Sequence, residues 1–236
     1  MGKTCLIRQP AGIGDIMFCQ KIGEYYKSSG YNVIWPVASV YSYLSDYMDN
    51  FQYPLETSDF PYKYIFNDLR VREIVETPDF VFLPLHEHNP RDYSVMCSKY
   101  KLALMDYSDW YKYFTFRRNH KKEDQLFYDL LNLKDGDEFI FVNNNYGSPP
   151  NFLRKNIKLD TDKRIITMDF IENFTVFDWC KVLELAKEIH TTETCLNYLI
   201  EILNIRHDFM FMYSKHTPAS YTHVSMLFND KWKYMY

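Results

Sequence analysis

Short apolar runs alternate with amphipathic stretches along most of this chain, a rhythm that predicts strands and helices in alternation. Thr4 to Gln9 reads as a strand, Pro10 to Gly14 as a glycine-bearing turn, and Asp15 to Ser28 as a helix. In that helix Ile16, Cys19, Ile22, Gly23 and Tyr26 fall at helical spacing, and Gly30 stops it. Val33 to Trp35 resumes as a second strand. Ser39 to Met48 predicts a helix capped by Ser39, with Val40, Tyr43, Leu44 and Tyr47 on one face. Tyr62 to Phe66 and Phe80 to Leu85 read as strands, with a short helix at Val71 to Val75 between them.

An aromatic-rich stretch, Lys99 to Phe116, gives way to the polar, basic break Arg117-Arg118-Asn119-His120-Lys121-Lys122. Glu123 to Leu133 then reads as a helix, Lys134 to Asp137 as a turn and Phe139 to Asn143 as a buried strand. Arg164 to Met168 predicts the next strand, Asp178 to Lys187 a helix, and Glu188 to His190 a short strand. Thr191 to Thr194 leads into a helix from Cys195 to Leu203, and Phe209 to Tyr213 reads as the last strand.

Strands separated by helices argue for α/β units with parallel sheets. The fresh strand after the polar break divides the chain near residues 117 to 123 into two Rossmann-like domains, 1–120 and 121–236. No sequence repeat relates the halves, so any symmetry between them is architectural.

Composition narrows the function. A net charge of −4 with both signs interspersed leaves no basic footprint for nucleic acid. Aromatic residues make up 18% of the chain, which suits a core and a sugar-stacking surface equally and decides between neither. Cys5, Cys19, Cys97, Cys180 and Cys195 lack metal-ligand or C-x-x-C spacing and read as reduced thiols. Without a signal segment or an apolar run approaching ~20 residues, the expectation is a soluble cytoplasmic protein with no membrane span.

The candidate chemistry lies at strand ends, where open α/β sheets bind ligands. Gly12 and Gly14 in the first turn allow close backbone approach of a ligand, and Asp15 stands beside them, either as a helix cap or as a reactive carboxylate. The dinucleotide fingerprint fails, because Met17 occupies the third glycine position and the second strand ends in Trp35-Pro36-Val37, so a nicotinamide cofactor is not expected. His86 and His88 follow the Phe80 strand as an H-x-H pair without a third spaced ligand, and read as polar lining. D-x-D occurs at Asp135-Gly136-Asp137 and Asp160-Thr161-Asp162, but both precede strands and read as turns.

The string Arg8-Gln9-Pro10-Ala11-Gly12-Ile13-Gly14-Asp15-Ile16 resembles the N-terminal G-x-G-D turn of the heptosyltransferase-like glycosyltransferases of the two-domain GT-B fold. The resemblance implies a compact GT-B-like enzyme whose two domains face a cleft, and an inverting, metal-independent sugar transfer that needs no cofactor. Asp15 inherits the role of general base, and Gly12, Gly14, His86 and His88 lie on the acceptor side. Phe174 to Leu203 resembles, more weakly, the donor-side motif in which a helix N-terminus meets a nucleotide diphosphate. Thr191, Thr192, Glu193 and Thr194, with Arg154, Lys155, Asp169 and Phe170, are the donor-side expectations. The partners are then a nucleotide-sugar and a glycan or other hydroxyl acceptor. Departures are plain, since Thr192-Glu193-Thr194-Cys195-Leu196 stands where the family has Asp-Ser/Thr-Gly-x-x-His. The alternatives are a metal-dependent GT-A-type glycosyltransferase using D-x-D and a non-catalytic nucleotide-binding α/β protein.

Overall fold

The structure is a computed structural model and describes residues 2–86, 95–147, 153–215 and 225–235. The chain divides into two compact units, residues 1–117 and 118–236, each with its own sheet.

In the first unit, β1 (Lys3–Ile7) leads through the glycine turn to α1 (Ile13–Phe18) and α2 (Gln20–Ser28), then to β2 (Tyr31–Ile34). The helix begins two residues earlier than the sequence suggests and breaks at Cys19, whose backbone sits at φ −84, ψ 4. The predicted face is still the buried one, with Ile16, Cys19 and Ile22 fully enclosed. After β2, the predicted helix at Ser39 to Met48 is two pieces, a 3₁₀ turn (Ser39–Tyr41) and α3 (Leu44–Tyr47), and Ser39 lies inside the first piece instead of capping it.

Tyr62 to Phe66 is not a strand. Tyr62 takes a left-handed conformation at φ 64, and α4 (Lys63–Phe66) follows. The reason lies at the end of β1, where the buried Arg8 guanidinium donates to the carbonyls of Ile65, Phe66, Asp68 and Val71, at 3.0 Å for Phe66 and 2.8 Å for Asp68. Successive carbonyls of a strand point to opposite sides, so a segment whose carbonyls converge on one guanidinium is not extended. Val71 to Val75 is likewise no helix. It leads into β3 (Val75–Thr77), which pairs antiparallel with β4 (Phe80–Leu83). The sheet order is β2-β1-β4-β3, with β1 parallel to both neighbours. Beyond β4, α5 (Val95–Leu102) places Tyr100 edge-on to Phe18, with ring centroids 4.8 Å apart, and Trp110 joins them, so Tyr100, Trp110 and Phe114 of the aromatic-rich stretch are core whereas Tyr111 and Tyr113 are exposed.

The second unit begins with α6 (His120–Asp124), which runs into a π-helical turn over Gln125–Leu130. Arg118 pairs with Glu123, buried at 1% exposure, and with Glu184 at 2.5 Å, which ties this helix to α7 (Cys180–Leu185). Strands β5 (Phe139–Asn143), β6 (Arg164–Thr167), β7 (Glu188–Thr192), β8 (Met210–Tyr213) and β9 (Trp232–Met235) form a parallel sheet in the order β6-β5-β7-β8-β9. Phe209 to Tyr213 is therefore not the last strand. The buried Glu201 carboxylate on α8 (Cys195–Ile202) accepts from the Asn229 backbone at 3.1 Å and the Trp232 indole at 2.9 Å, and so docks β9.

Right-handed crossovers put α7 and α8 on one face of this sheet and the described part of the β5–β6 connection on the other. Among the described residues that connection carries no helix. The side chains obey the division, because Ile189, Met210 and Met212 are fully buried whereas Phe209 is 51% exposed and Phe211 and Tyr213 are half-buried.

Candidate functional site

In each sheet the first strand has its next strand on one side and a later one on the other. That arrangement makes a topological switch point, the position where open α/β sheets bind ligands at their carboxyl ends. In residues 1–117 it lies between the ends of β1 and β4, and in residues 118–236 between those of β5 and β7. Polar side chains gather at both.

At the first, Gly12 has φ 81, a conformation that glycine adopts without strain. Gly12 is the residue before α1, Gly14 is buried in its first turn, and Asp15 is the third helical residue and makes no capping hydrogen bond. The Asp15 carboxylate instead folds back over the turn. A Cβ on Gly12 would stand 2.5 Å from Asp15 Oδ2. Asp15 Oδ1 faces Lys99 Nζ at 3.2 Å, with the lysine side chain 1% exposed and the aspartate 29%.

Lys99 comes from α5 and also donates to Gln9 Oε1 at 2.6 Å and to the Leu85 carbonyl at 2.9 Å, so one ammonium faces Asp15 and ties it to the chain beyond β1 and β4. Because Gln9 Oε1 accepts from Lys99, its amide nitrogen is free to donate to the Ala11 carbonyl at 2.6 Å and faces His86 Nδ1 at 3.4 Å. The His86 backbone donates to the Arg8 carbonyl, which aligns the end of β4 with that of β1. Asp15, Gly12 and His86, expected from the sequence, thus come together around Gln9 and Lys99. His88 lies outside the described residues. Neither Gln9 nor Lys99 is marked out in the sequence, since Lys99 is one of two similar lysines in Lys99-Tyr100-Lys101. Cys19 lies within electrostatic range of Asp15 and Lys99, and burial pushes its thiol up to about 12, so it stays protonated.

At the second switch point the threonine run is split. Thr191 and Thr192 belong to β7 and are fully buried; the Thr191 hydroxyl donates to the Thr192 carbonyl at 2.8 Å and that of Thr192 to the Asn145 carbonyl at 2.9 Å. Only Thr194 starts the helix. Its oxygen accepts from the Leu196 backbone at 3.3 Å, while its own backbone donates to Asn197 Oδ1 at 2.8 Å. Asn143 at the end of β5 donates to Thr191 and Thr194 at 3.2 and 3.3 Å, an unforeseen bridge between the strand ends. Asn144 Oδ1, Asn145 Oδ1 and Asn197 Nδ2 are enclosed without a hydrogen-bond partner among the described residues, which is costly unless something else satisfies them.

Lys155 reaches the end of β8, donating to the Ser214 carbonyl at 2.6 Å, and Lys215 is near enough for its charge to act on the Cys195 thiol, which burial pushes up to about 11. Glu193 is fixed through its backbone to the Tyr213 carbonyl. Arg154 and Asp169 pair with each other at 2.9 Å on the surface, beside the exposed Phe170.

The D-x-D pairs serve turns. Asp137 Oδ2 accepts from the Lys134 backbone at 2.9 Å across Gly136 at φ 87, and Asp135 accepts from the Tyr128 hydroxyl at 2.7 Å. The second pair lies in the irregular approach to β6, where the Thr161 hydroxyl accepts from the Lys163 backbone. Among the described residues no three His, Cys, Asp or Glu side chains converge as a metal-holding group. Nor, among those residues, is any helix long and apolar enough to cross a membrane.

No protein-family model matches the chain, and no curated protein matches it. A glycosyl transferase family 9 protein from Veillonella parvula, known from its crystal structure, is similar in fold, with a TM-score of 0.57 over 99% of this chain and 85% of that one. At 8% identity the likeness is one of fold: a mixed α/β chain with parallel sheets, similar to that of a glycosyltransferase.

Proposed function

We propose that the protein is a glycosyltransferase of the GT-B type, with Rossmann-like units, that moves a sugar from a nucleotide-sugar to an acceptor hydroxyl by an inverting, metal-independent route. The observation that carries this reading is the Asp15 carboxylate, which leaves α1 uncapped and turns back over Gly12 to face Lys99 at the β1–β4 switch point. A carboxylate held this way on rigid elements is suited to take the proton of an acceptor hydroxyl as its oxygen attacks the anomeric carbon. Lys99 is a positioning residue that keeps Asp15 and, through Gln9, His86 in register. The fold likeness to a glycosyltransferase supports the same class.

In this reading residues 118–236 hold the donor. Sugar transfer leaves a nucleoside diphosphate, and a departing diphosphate needs donors and positive charge. The start of α8 at Thr194, with Lys155, offers both. Thr191 and Thr192 shape the strand end and leave ligand contact to Thr194 and Glu193. Arg154, Asp169 and Phe170 are assigned to the nucleoside side.

The test combines calorimetry of nucleoside diphosphates in EDTA with a transfer assay on the same preparation. Binding in chelator together with transfer supports the reading, whereas affinity that vanishes in EDTA and returns with manganese overturns its metal-independent form. Absence of both binding and transfer overturns the function.

A further inference from the structure

Valence fixes the hydrogen-bond polarity from Lys99 through Gln9 to His86 at the β1–β4 switch point, and the proposed reaction gives His86 no task. Gln9 is 1% exposed, and two independent neighbours tell its side-chain oxygen from its nitrogen. The Lys99 ammonium only donates, so the atom 2.6 Å from it is Oε1. The Ala11 carbonyl only accepts, so the atom 2.6 Å from that is Nε2. The same Nε2 lies 3.4 Å from His86 Nδ1. An amide nitrogen offers nothing to accept with, so a hydrogen on Nδ1 would point at another N–H. The neutral imidazole therefore accepts at Nδ1 and carries its hydrogen on Nε2. His86 is exposed, its backbone is held to the Arg8 carbonyl at 2.9 Å, and Nε2 has no partner among the described residues.

The described residues here leave little for an anion. Lys99 is 1% exposed and turned to Asp15, Gln9 and the Leu85 carbonyl. The Arg8 guanidinium is enclosed and serves the carbonyls of residues 65–71. The Gly12 N–H donates to the Tyr41 hydroxyl at 3.3 Å. Of these charges Asp15 is the one that meets solvent, at 29% exposure, and it repels anions. The strand ends thus present one accepting group, the Asp15 carboxylate, and one neutral donor, the His86 Nε2–H.

We propose that the acceptor taken at this switch point is a neutral polyol, one oxygen of which receives the His86 Nε2–H while another hydroxyl faces Asp15. Gln9 and Lys99 are positioning residues that keep His86 a donor and leave the role of base to Asp15. The naming of this ligand as the acceptor rests on the sugar-transfer reading above. The state of the imidazole does not.

The probes are methyl β-D-glucopyranoside and its charged counterpart, methyl β-D-glucopyranosiduronate, titrated in mildly alkaline buffer. ¹⁵N imidazole spectra report on His86, and saturation-transfer NMR gives the affinities of variants. The wild type is expected to carry the His86 hydrogen on Nε2, and the glucoside, not the uronate, to shift that N–H. Gln9→Glu faces His86 with acceptors only, so the hydrogen should move to Nδ1 as glucoside affinity falls. His86→Leu, at an exposed position, should weaken the glucoside about fivefold, the contribution of one neutral hydrogen bond, with the melting temperature unchanged. His86→Gln, whose amide brings an N–H to a similar reach, should restore most of that loss. A wild-type hydrogen on Nδ1 overturns the proposal, as does a uronate that binds as tightly as the glucoside. Glucoside binding that is absent, or indifferent to His86→Leu, overturns it too. Failure of sugar transfer with the His86 contact intact would sink the glycosyltransferase reading alone, and transfer without that contact would sink this proposal alone.

Discussion

Gly12 and the Asp15 carboxylate occupy adjoining space: a Cβ on the glycine would lie 2.5 Å from Oδ2 and 3.1 Å from Cγ. Gly12→Ala therefore does two things. It strains a backbone at φ 81, at a cost of about 1–2 kcal/mol, and it pushes the carboxylate off Lys99. The expected outcome is a lowered melting temperature together with a large loss of turnover, measured on one preparation. A variant that melts lower but turns over normally would remove the Gly12–Asp15 contact from the mechanism.

Asp15→Asn keeps the shape and removes the base. Transfer is expected to fall by roughly 10²- to 10⁴-fold with donor affinity unchanged. Asp15 does not cap α1, so the helix start should hold, but the buried Lys99 ammonium loses its counter-charge and the melting temperature should fall moderately. Turnover near the wild-type value would exclude Asp15 as the base.

Lys99→Met removes the cation and leaves Gln9 Oε1, the Leu85 carbonyl and Asp15 without their shared donor. Breaking a fully buried pair costs ~3–5 kcal/mol, and the partial exposure of Asp15 reduces this to about 2–3 kcal/mol. Denaturant unfolding measures the loss. A positioning role further predicts a shifted pH profile of transfer, which a purely structural lysine would leave unmoved.

Arg8→Lys tests the clamp on residues 65–71. A single ammonium cannot serve the carbonyls that the planar guanidinium reaches, so buried acceptors are orphaned at a cost of at least about 2 kcal/mol. The midpoint of urea unfolding should fall accordingly, and an unchanged midpoint would show that the segment holds without Arg8.

His190 gives a pH signature of known sign. Burial makes its proton affinity lower in the folded chain than the ordinary imidazole value near 6.5, so between the two values the unfolded chain binds more protons and stability rises with pH. That contribution is present above about 6.5 and is lost as pH falls through the folded value. Comparison of unfolding midpoints at acid and neutral pH for the wild type and His190→Gln isolates it, since carboxylates shared by both proteins cancel. Identical pH slopes would contradict a depressed His190.

Local pattern determined much of this protein. Apolar runs that must be buried wherever they lie marked β1, β4, β5 and β8, and the glycine-flanked Asp15 announced itself because a tight turn before a helix has few solutions. The pattern failed where a distant group decides the local backbone. Tyr62 to Phe66 looks like a strand until Arg8 gathers its carbonyls, and Thr191 and Thr192 look like a helix start until pairing with β5 and β8 extends β7 through them. Only tertiary structure put Lys99 against Asp15, and Tyr213 and Glu188 on either side of His190. In parallel sheets strand neighbours are chosen by crossovers, so the residues that meet at a switch point are far apart in sequence and carry no local periodicity that marks them as partners.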